Sequence, residues 1–276
     1  MSKMSLVSLF LGLFLIIAVS NVSANTEGSQ LAQQEDFKHQ VSIQIISGDR
    51  SKHTCSGSIL DELNIVTAAH CVTVPKTNEL DNRKIVVVAG TADLRDKSSG
   101  LRRDVEYIIV PKSYSLRKGN YADIAILKLR NPLPLDTDSR IMAIKLPSAN
   151  QNSLSDIVVS SFSFFNNYPN GTIVWQTPSP VLRWTFEEIN APDYKDCHVK
   201  EICSKPKDSR SVQGACNGDG GAPLVDENTY SLIGVARHLK YELCGKEARY
   251  TRVSAHLDFI NNVRRINFND IAYLKL

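Results

Sequence analysis

Between residues 40 and 253 the chain is cut into short runs of β-branched and aliphatic residues by turn-forming clusters. This punctuation limits its fold more than any other feature. Residues 40–46 alternate in polarity, and 59–69, 84–89, 105–110 and 124–129 are rich in Val, Ile and Leu. Ser47-Gly48-Asp49, residues 91–100 and Asn131-Pro132-Leu133-Pro134 separate them. A second set lies at 157–162, 181–189, 222–225, 231–236 and 249–253. Runs this short, spaced by turns, predict an all-β sandwich or barrel. One helix is expected over 254–265, with Ser254 as its cap and Leu257, Ile260 and Val263 at helical spacing. The strand sets flank residues 147–153 and are of similar length, which suits two similar barrels at roughly 25–147 and 154–253.

Residues 1–24 read as an export signal: Lys3, an apolar run from Leu6 to Val19, then the small residues of Val22-Ser23-Ala24. Cleavage is expected between Ala24 and Asn25. The run is short for a bilayer, and no later stretch reaches roughly 18 apolar residues, so no membrane span is expected. With 42% hydrophobic and 22% charged residues among 276, the chain is ordinary globular material. A formal charge of +3 argues against nucleic acid as a partner. The pairs Arg102-Arg103 and Arg264-Arg265 read as solvated surface.

All six cysteines (Cys55, Cys71, Cys197, Cys203, Cys216, Cys244) follow the expected cleavage point. An even count in an exported chain points to disulfides, whose pairing the count leaves open. No Cys-x-x-Cys or His-x-x-x-His spacing suggests a metal, and no cofactor is expected. Asn170-Gly171-Thr172 is a glycosylation sequon in a turn-like context.

Three segments carry chemistry: Val66-Thr67-Ala68-Ala69-His70-Cys71, Asp123-Ile124-Ala125-Ile126-Leu127, and Cys216-Asn217-Gly218-Asp219-Gly220-Gly221-Ala222-Pro223. In that order they resemble the histidine, aspartate and serine motifs of the trypsin/chymotrypsin family, with Gly220 where the nucleophilic serine belongs. Cys55-Ser56-Gly57-Ser58 and Tyr250-Thr251-Arg252-Val253 add to the likeness, which runs from about Phe37 to Val263. The resemblance implies two six-stranded antiparallel β-barrels with a C-terminal α-helix, a homology domain over 25–265, and a tail at 266–276. It also implies disulfides Cys55–Cys71, Cys197–Cys203 and Cys216–Cys244, and an oxyanion hole at the backbone of Gly218 and Gly220.

In active relatives a serine oxygen attacks the carbonyl, histidine takes its proton, and aspartate fixes the imidazole. Here His70 and Asp123 serve a nucleophile that Gly220 does not provide, so the pair is read as vestigial and structural. Further departures agree. The stretch matching the inserted activation terminus, Asn25-Thr26-Glu27-Gly28, has no basic residue before it and no apolar pair. Asp219, the usual partner of that terminus, is then expected to be solvated, paired elsewhere, or met by the amine of Asn25. The resemblance implies a specificity pocket with Gly214 at its base, Arg237-His238-Leu239 as its wall and Ala248 as the facing wall residue. Arg237 places a cation near the His70–Asp123 pair, disfavouring imidazolium.

These readings predict a secreted, catalytically inactive homologue. It would bind an extracellular protease, zymogen or protease inhibitor as regulator, cofactor or decoy, and residues 25–36 leave no room for an appended regulatory module. The alternative is a serine-type endopeptidase using Ser209, Ser211 or a bound water. A third reading is a glycan or lipid binder using the tail with Phe268, Ile271, Tyr273 and Leu274.

Overall fold

The computed structural model describes residues 30–75, 77, 79–115, 122–149, 156–162, 166–167, 173–174, 179–189, 197–207, 219–237 and 247–266. It begins with a two-residue strand, β1 (Gln30–Leu31). Six strands then close the first barrel: β2 (Gln40–Ser47), β3 (Arg50–Ile59), β4 (Asn64–Thr67), β5 (Ile85–Ala89), β6 (Leu101–Ile109) and β7 (Ala125–Leu129). Their order is β2-β3-β4-β7-β6-β5, all antiparallel, with β5 returning to β2. Closure leaves no sheet edge unpaired.

The second barrel is built from β8 (Ile157–Ser161) and five later strands. Between them a small ribbon pairs β9 (Asn166–Asn167) with β10 (Ile173–Val174). The remaining strands are β11 (Arg183–Ile189), β12 (Glu201–Pro206), β13 (Pro223–Asp226), β14 (Ser231–Ala236) and β15 (Ala248–Arg252). They run β11-β12-β15-β14-β13-β8, and pairing of β8 with β11 closes the ring while β1 adds to β11 from outside. A 3-10 turn (Val253–His256) leads into α1 (Leu257–Arg265). The fold is the double antiparallel barrel with terminal helix that the sequence motifs imply.

One apolar cluster fills the first barrel with Ile43, Ile59, Ile65, Val87, Ile126 and Leu127. It continues without a break into Val225, Leu232 and Val235, and into Ile260 and Val263 of α1. The second barrel has its own core of Ile157, Val159, Ile202, Leu224, Ile233 and Tyr250. Each such side chain contributes about 1.5–3 kcal/mol by leaving water.

Several boundaries differ from the sequence expectation. Residues 59–69 are not one strand. Asp61 accepts hydrogen bonds from the amides of Leu63 and Asn64 at 3.1 and 2.9 Å, folding the chain into a turn between β3 and β4. Strand β3 has no apolar pattern over residues 50–58, where its side chains are polar or small; pairing with β2 along that length and with β4 at Ser58 and Ile59 supplies the order. β6 begins at Leu101 rather than 105, its Arg102, Arg103 and Asp104 pairing with β5. β12 was missed because Glu201 and Ser204 interrupt its apolar pattern, yet both are buried. Ser254 does not cap α1: the helix starts at Leu257 after the 3-10 turn, His256 stands at the cap, and no side chain caps it by hydrogen bond.

Candidate active site

β4 delivers Thr67 to a short 3-10 turn, Ala69–Cys71, that carries His70. Cys71 is bridged to Cys55 of β3, which anchors the turn to the barrel wall. Asp123 stands just before β7 and is fully buried. Its Oδ1 accepts from the His70 amide at 2.9 Å, and its Oδ2 lies 2.8 Å from His70 Nδ1. From the second barrel, Thr251 of β15 donates its hydroxyl to the Asp123 carbonyl at 2.9 Å. The His–Asp pair therefore sits where the barrels meet, each group fixed by more than one bond. Burial opposes charge on Asp123, but the charge and hydrogen bonds of His70, aided by Arg237, outweigh it and hold the carboxyl below its ordinary range.

Gly220 faces the imidazole. Its carbonyl accepts from the Ser56 amide at 2.8 Å, and the next amide, Gly221, donates to Ala236 at 2.9 Å. These bonds pin the loop between β3 and β14. A β-carbon placed on Gly220 would lie 2.4 Å from His70 Nε2, 2.8 Å from Cε1 and 3.2 Å from Cys55 Sγ. The ring edge thus rests against the backbone of residue 220, in the volume a side chain would need. Gly221 has φ +77°, and a β-carbon there would meet the Ser56 carbonyl at 2.1 Å and Thr67 Oγ1 at 2.2 Å, so only glycine fits.

Arg237 follows β14, but not as a loose cation. Its guanidinium pairs with Glu201 of β12, which is 1% exposed, while its charge also reaches Asp123. Arg249 approaches the other Glu201 oxygen at 3.9 Å and holds Glu247 at 3.0 Å. Sequence reasoning missed Glu201; the available signal was an acid two residues before Cys203 in a short apolar run. Ala248, read as a pocket wall, is buried on β15.

Asp219 is not solvated: it is 2% exposed. It lies close enough to Glu187 of β11 to act on its ionisation. Burial first, and the Asp219 charge in addition, push the Glu187 carboxyl up to about 8 against the hydrogen bond donated by Ser204 at 2.6 Å. Cys197 and Cys203 are bridged. Gly214, Gly218, His238, Leu239, Asn170, Ser209, Ser211, the Cys216–Cys244 pair, the Ala24–Asn25 cleavage point, residues 25–28 and the tail beyond Ile266 lie outside the described residues.

Among the described residues, one group offers metal-type donor atoms within 4.8 Å of one another: Cys55, His70 and Cys71. Both sulfurs are spent in the disulfide, so the donor set does not suit a metal. No helix among the described residues is long and apolar enough to cross a membrane.

Two closed antiparallel barrels with a half-buried histidine on a buried aspartate at their junction, and a glycine loop against the imidazole, define the chymotrypsin-like serine-protease architecture. The chain belongs to the trypsin family, whose model, Trypsin, matches residues 27–260. Chymotrypsin-C of Mus musculus is 27% identical over 249 residues, covering 87% of this chain and 89% of that protein. Serine protease SP24D of Anopheles gambiae is 31% identical over 256 residues, covering 88% and 82%. Among solved structures, human heparin binding protein superposes with a TM-score of 0.66 at 24% identity over 87% of this chain and 97% of its own, a likeness of fold.

Proposed function

We propose that this protein is a secreted member of the trypsin family that does not cleave peptide bonds. It acts by binding an extracellular protease, zymogen or protease inhibitor, as regulator, cofactor or decoy. The observation that carries the reading is the abutment of Gly220 on His70. Position 220 supplies no oxygen to attack a carbonyl, and the imidazole edge fills the space such a group would occupy. Loss of the nucleophile costs on the order of a million-fold in turnover in a comparable triad.

The retained His70–Asp123 pair has a structural use. Asp123 satisfies the amide and ring of His70 and is itself anchored through Thr251, so removing either side chain strands buried polar groups. Arg237, at a position where the likeness expects a wall of the substrate pocket, is committed to a buried ion pair with Glu201. The export-like residues 1–24 and the disulfides support an extracellular address.

The same intact pair is what favours the competing reading, a serine-type endopeptidase with a displaced nucleophile. A fluorophosphonate probe and a broad peptide library applied to the mature protein decide between them. No labelling and no turnover are expected. Labelling or cleavage that disappears in His70→Ala would overturn the proposal. Binding is tested by adding the protein to active trypsin-family enzymes and their inhibitors from the same fluid. A change in cleavage or inhibition rate is expected, and its absence across that set would remove the regulatory part.

A further inference from the structure

Two acids that lie near one another are both withdrawn from water. Glu187 of β11 is 3% exposed, and Asp219, the residue before Gly220, is 2% exposed. The Ser204 hydroxyl donates to Glu187 Oε2 at 2.6 Å, while Glu187 Oε1 is buried with no hydrogen-bond partner among the described residues. Asp219 is the charge that acts on Glu187. The other ionisable groups of the surrounding strands are engaged elsewhere or stand farther off. On β12, Glu201 is paired with Arg237, and Lys205 reaches Glu188 of β11 at 3.5 Å. Lys207 lies over the Phe186 ring, 5.7 Å from its centroid. Arg183, at the start of β11, is roughly 13 Å away along the strand. On β13, Asp226 accepts from the Asn228 amide at 3.2 Å and the Thr229 hydroxyl at 3.1 Å. Tyr250 of β15 brings a phenol to the same core, and β8 and β14 carry no ionisable side chain.

Two like charges close together out of water are not both ionised at neutral pH. Glu187 is the one that keeps its proton, because burial and the Asp219 charge together outweigh the Ser204 hydrogen bond. The two acids differ in how firmly the backbone holds them. Glu187 is fixed on both sides, in register with Ile157 of β8 and with Pro206 of β12. Asp219 stands in a loop, outside any strand. Three bonds seat that loop: the Asp219 carbonyl accepts from the Ala222 amide at 2.8 Å, the Gly220 carbonyl from the Ser56 amide at 2.8 Å, and the Gly221 amide donates to Ala236 at 2.9 Å. Repulsion between the acids therefore falls on the loop and not on the strand.

We infer that Glu187 is a proton-operated latch on the loop that seats Gly220 against His70. With its proton on, Glu187 turns Oε1–H towards the Asp219 carboxylate and the loop stays closed on the imidazole. When solvent base removes that proton, two carboxylates are left together out of water, and Asp219 draws its loop towards solvent. The sign follows from the raised carboxyl of Glu187: closure is complete below its ordinary range and is lost as pH rises through about 8. The inference does not depend on whether the protein cleaves peptides.

The test is NMR of the mature protein labelled with carbon-13 at glutamate Cδ and glycine Cα, titrated from about pH 6 to about pH 10 to bracket the transition. The Glu187 carboxyl carbon is expected to titrate near 8, and the Gly220 and Gly221 signals to shift with the same midpoint. Glu187→Gln keeps an acceptor for Ser204 but has no proton to lose, so the glycine shifts should vanish. Ser204→Ala removes the bond that favours the ionised form, so the shared midpoint should move to higher pH. That variant deletes one hydroxyl and tests the latch even where Glu187→Gln does not fold. Titration of Glu187 in the ordinary carboxylate range overturns the inference, as do glycine signals that stay still while Glu187 titrates. Glycine shifts that persist in Glu187→Gln assign the transition to another group, such as a chain-terminal amine, and overturn it too. A midpoint unchanged or lowered in Ser204→Ala has the same consequence.

Discussion

Arg237 and Glu201 form an ion pair, with Glu201 almost wholly removed from solvent and the Arg237 side chain 12% exposed. Neither residue is adjacent to the other in sequence; β12 and the end of β14 bring them together across β15. Breaking one half of a buried pair strands the other charge, at a cost of about 3–5 kcal/mol. Arg237→Met is therefore expected to lower stability by that order, with Arg249 at 3.9 Å softening the loss. The double variant Arg237→Met with Glu201→Leu should recover most of it. Urea denaturation of the single and double variants measures this, and equal losses in both would mean the pair is not the cause.

Gly220→Ser tests the active-site geometry. The new β-carbon falls 2.4 Å from His70 Nε2, so the ring must turn and weaken its bond to Asp123. A loss of about 1–2 kcal/mol is expected, the range for an overpacked site and a bent hydrogen bond. On the proposed reading little or no peptidase activity should appear, because Arg237 stays paired with Glu201. Efficient trypsin-like or chymotrypsin-like turnover by the single variant would show that the remaining machinery is intact.

Gly221→Ala should be far more damaging than Gly220→Ala. At 221 the methyl meets a backbone carbonyl at 2.1 Å and the conformation has positive φ, whereas at 220 the nearest obstacle is the tip of a side chain. A loss of about 3 kcal/mol or more is expected from overpacking with backbone strain. Comparison of the two melting temperatures checks the order.

Glu187 gives the stability a downward slope with rising pH. Its folded pKa, raised to about 8, lies above the ordinary 4.5, so the folded state holds the proton more tightly. Its contribution is complete below about 4.5 and is lost as pH rises through about 8. Glu187→Gln keeps an acceptor for Ser204 and should remove that slope, changing relative stability across the window by a few kcal/mol, to order of magnitude. Asp123 has the opposite sign: its carboxyl is held low, so its contribution is present above the ordinary carboxylate pKa and is lost as pH falls. The Glu187→Gln profile should therefore depart from that of the native protein between about pH 4.5 and 8, and the Asp123→Asn profile at more acid pH, with slopes of opposite sign.

The all-β architecture, the terminal helix, and the positions of His70, Asp123 and Gly220 were legible in the chain itself. Strand runs at regular spacing, helical recurrence at Leu257, Ile260 and Val263, and three motifs in fixed order are local properties that survive without coordinates. Strands β3 and β12 were not legible, because Arg50, Lys52, Glu201 and Ser204 break an apolar pattern that neighbouring strands compensate with hydrogen bonds. The burial of Glu201, Glu187 and Asp219 and the close seating of His70 on Gly220 belong to the tertiary structure alone. Each joins residues far apart in sequence. Their protonation and partners depend on exclusion of water and on distances of a few ångströms, which closure of the barrels sets and no linear pattern encodes.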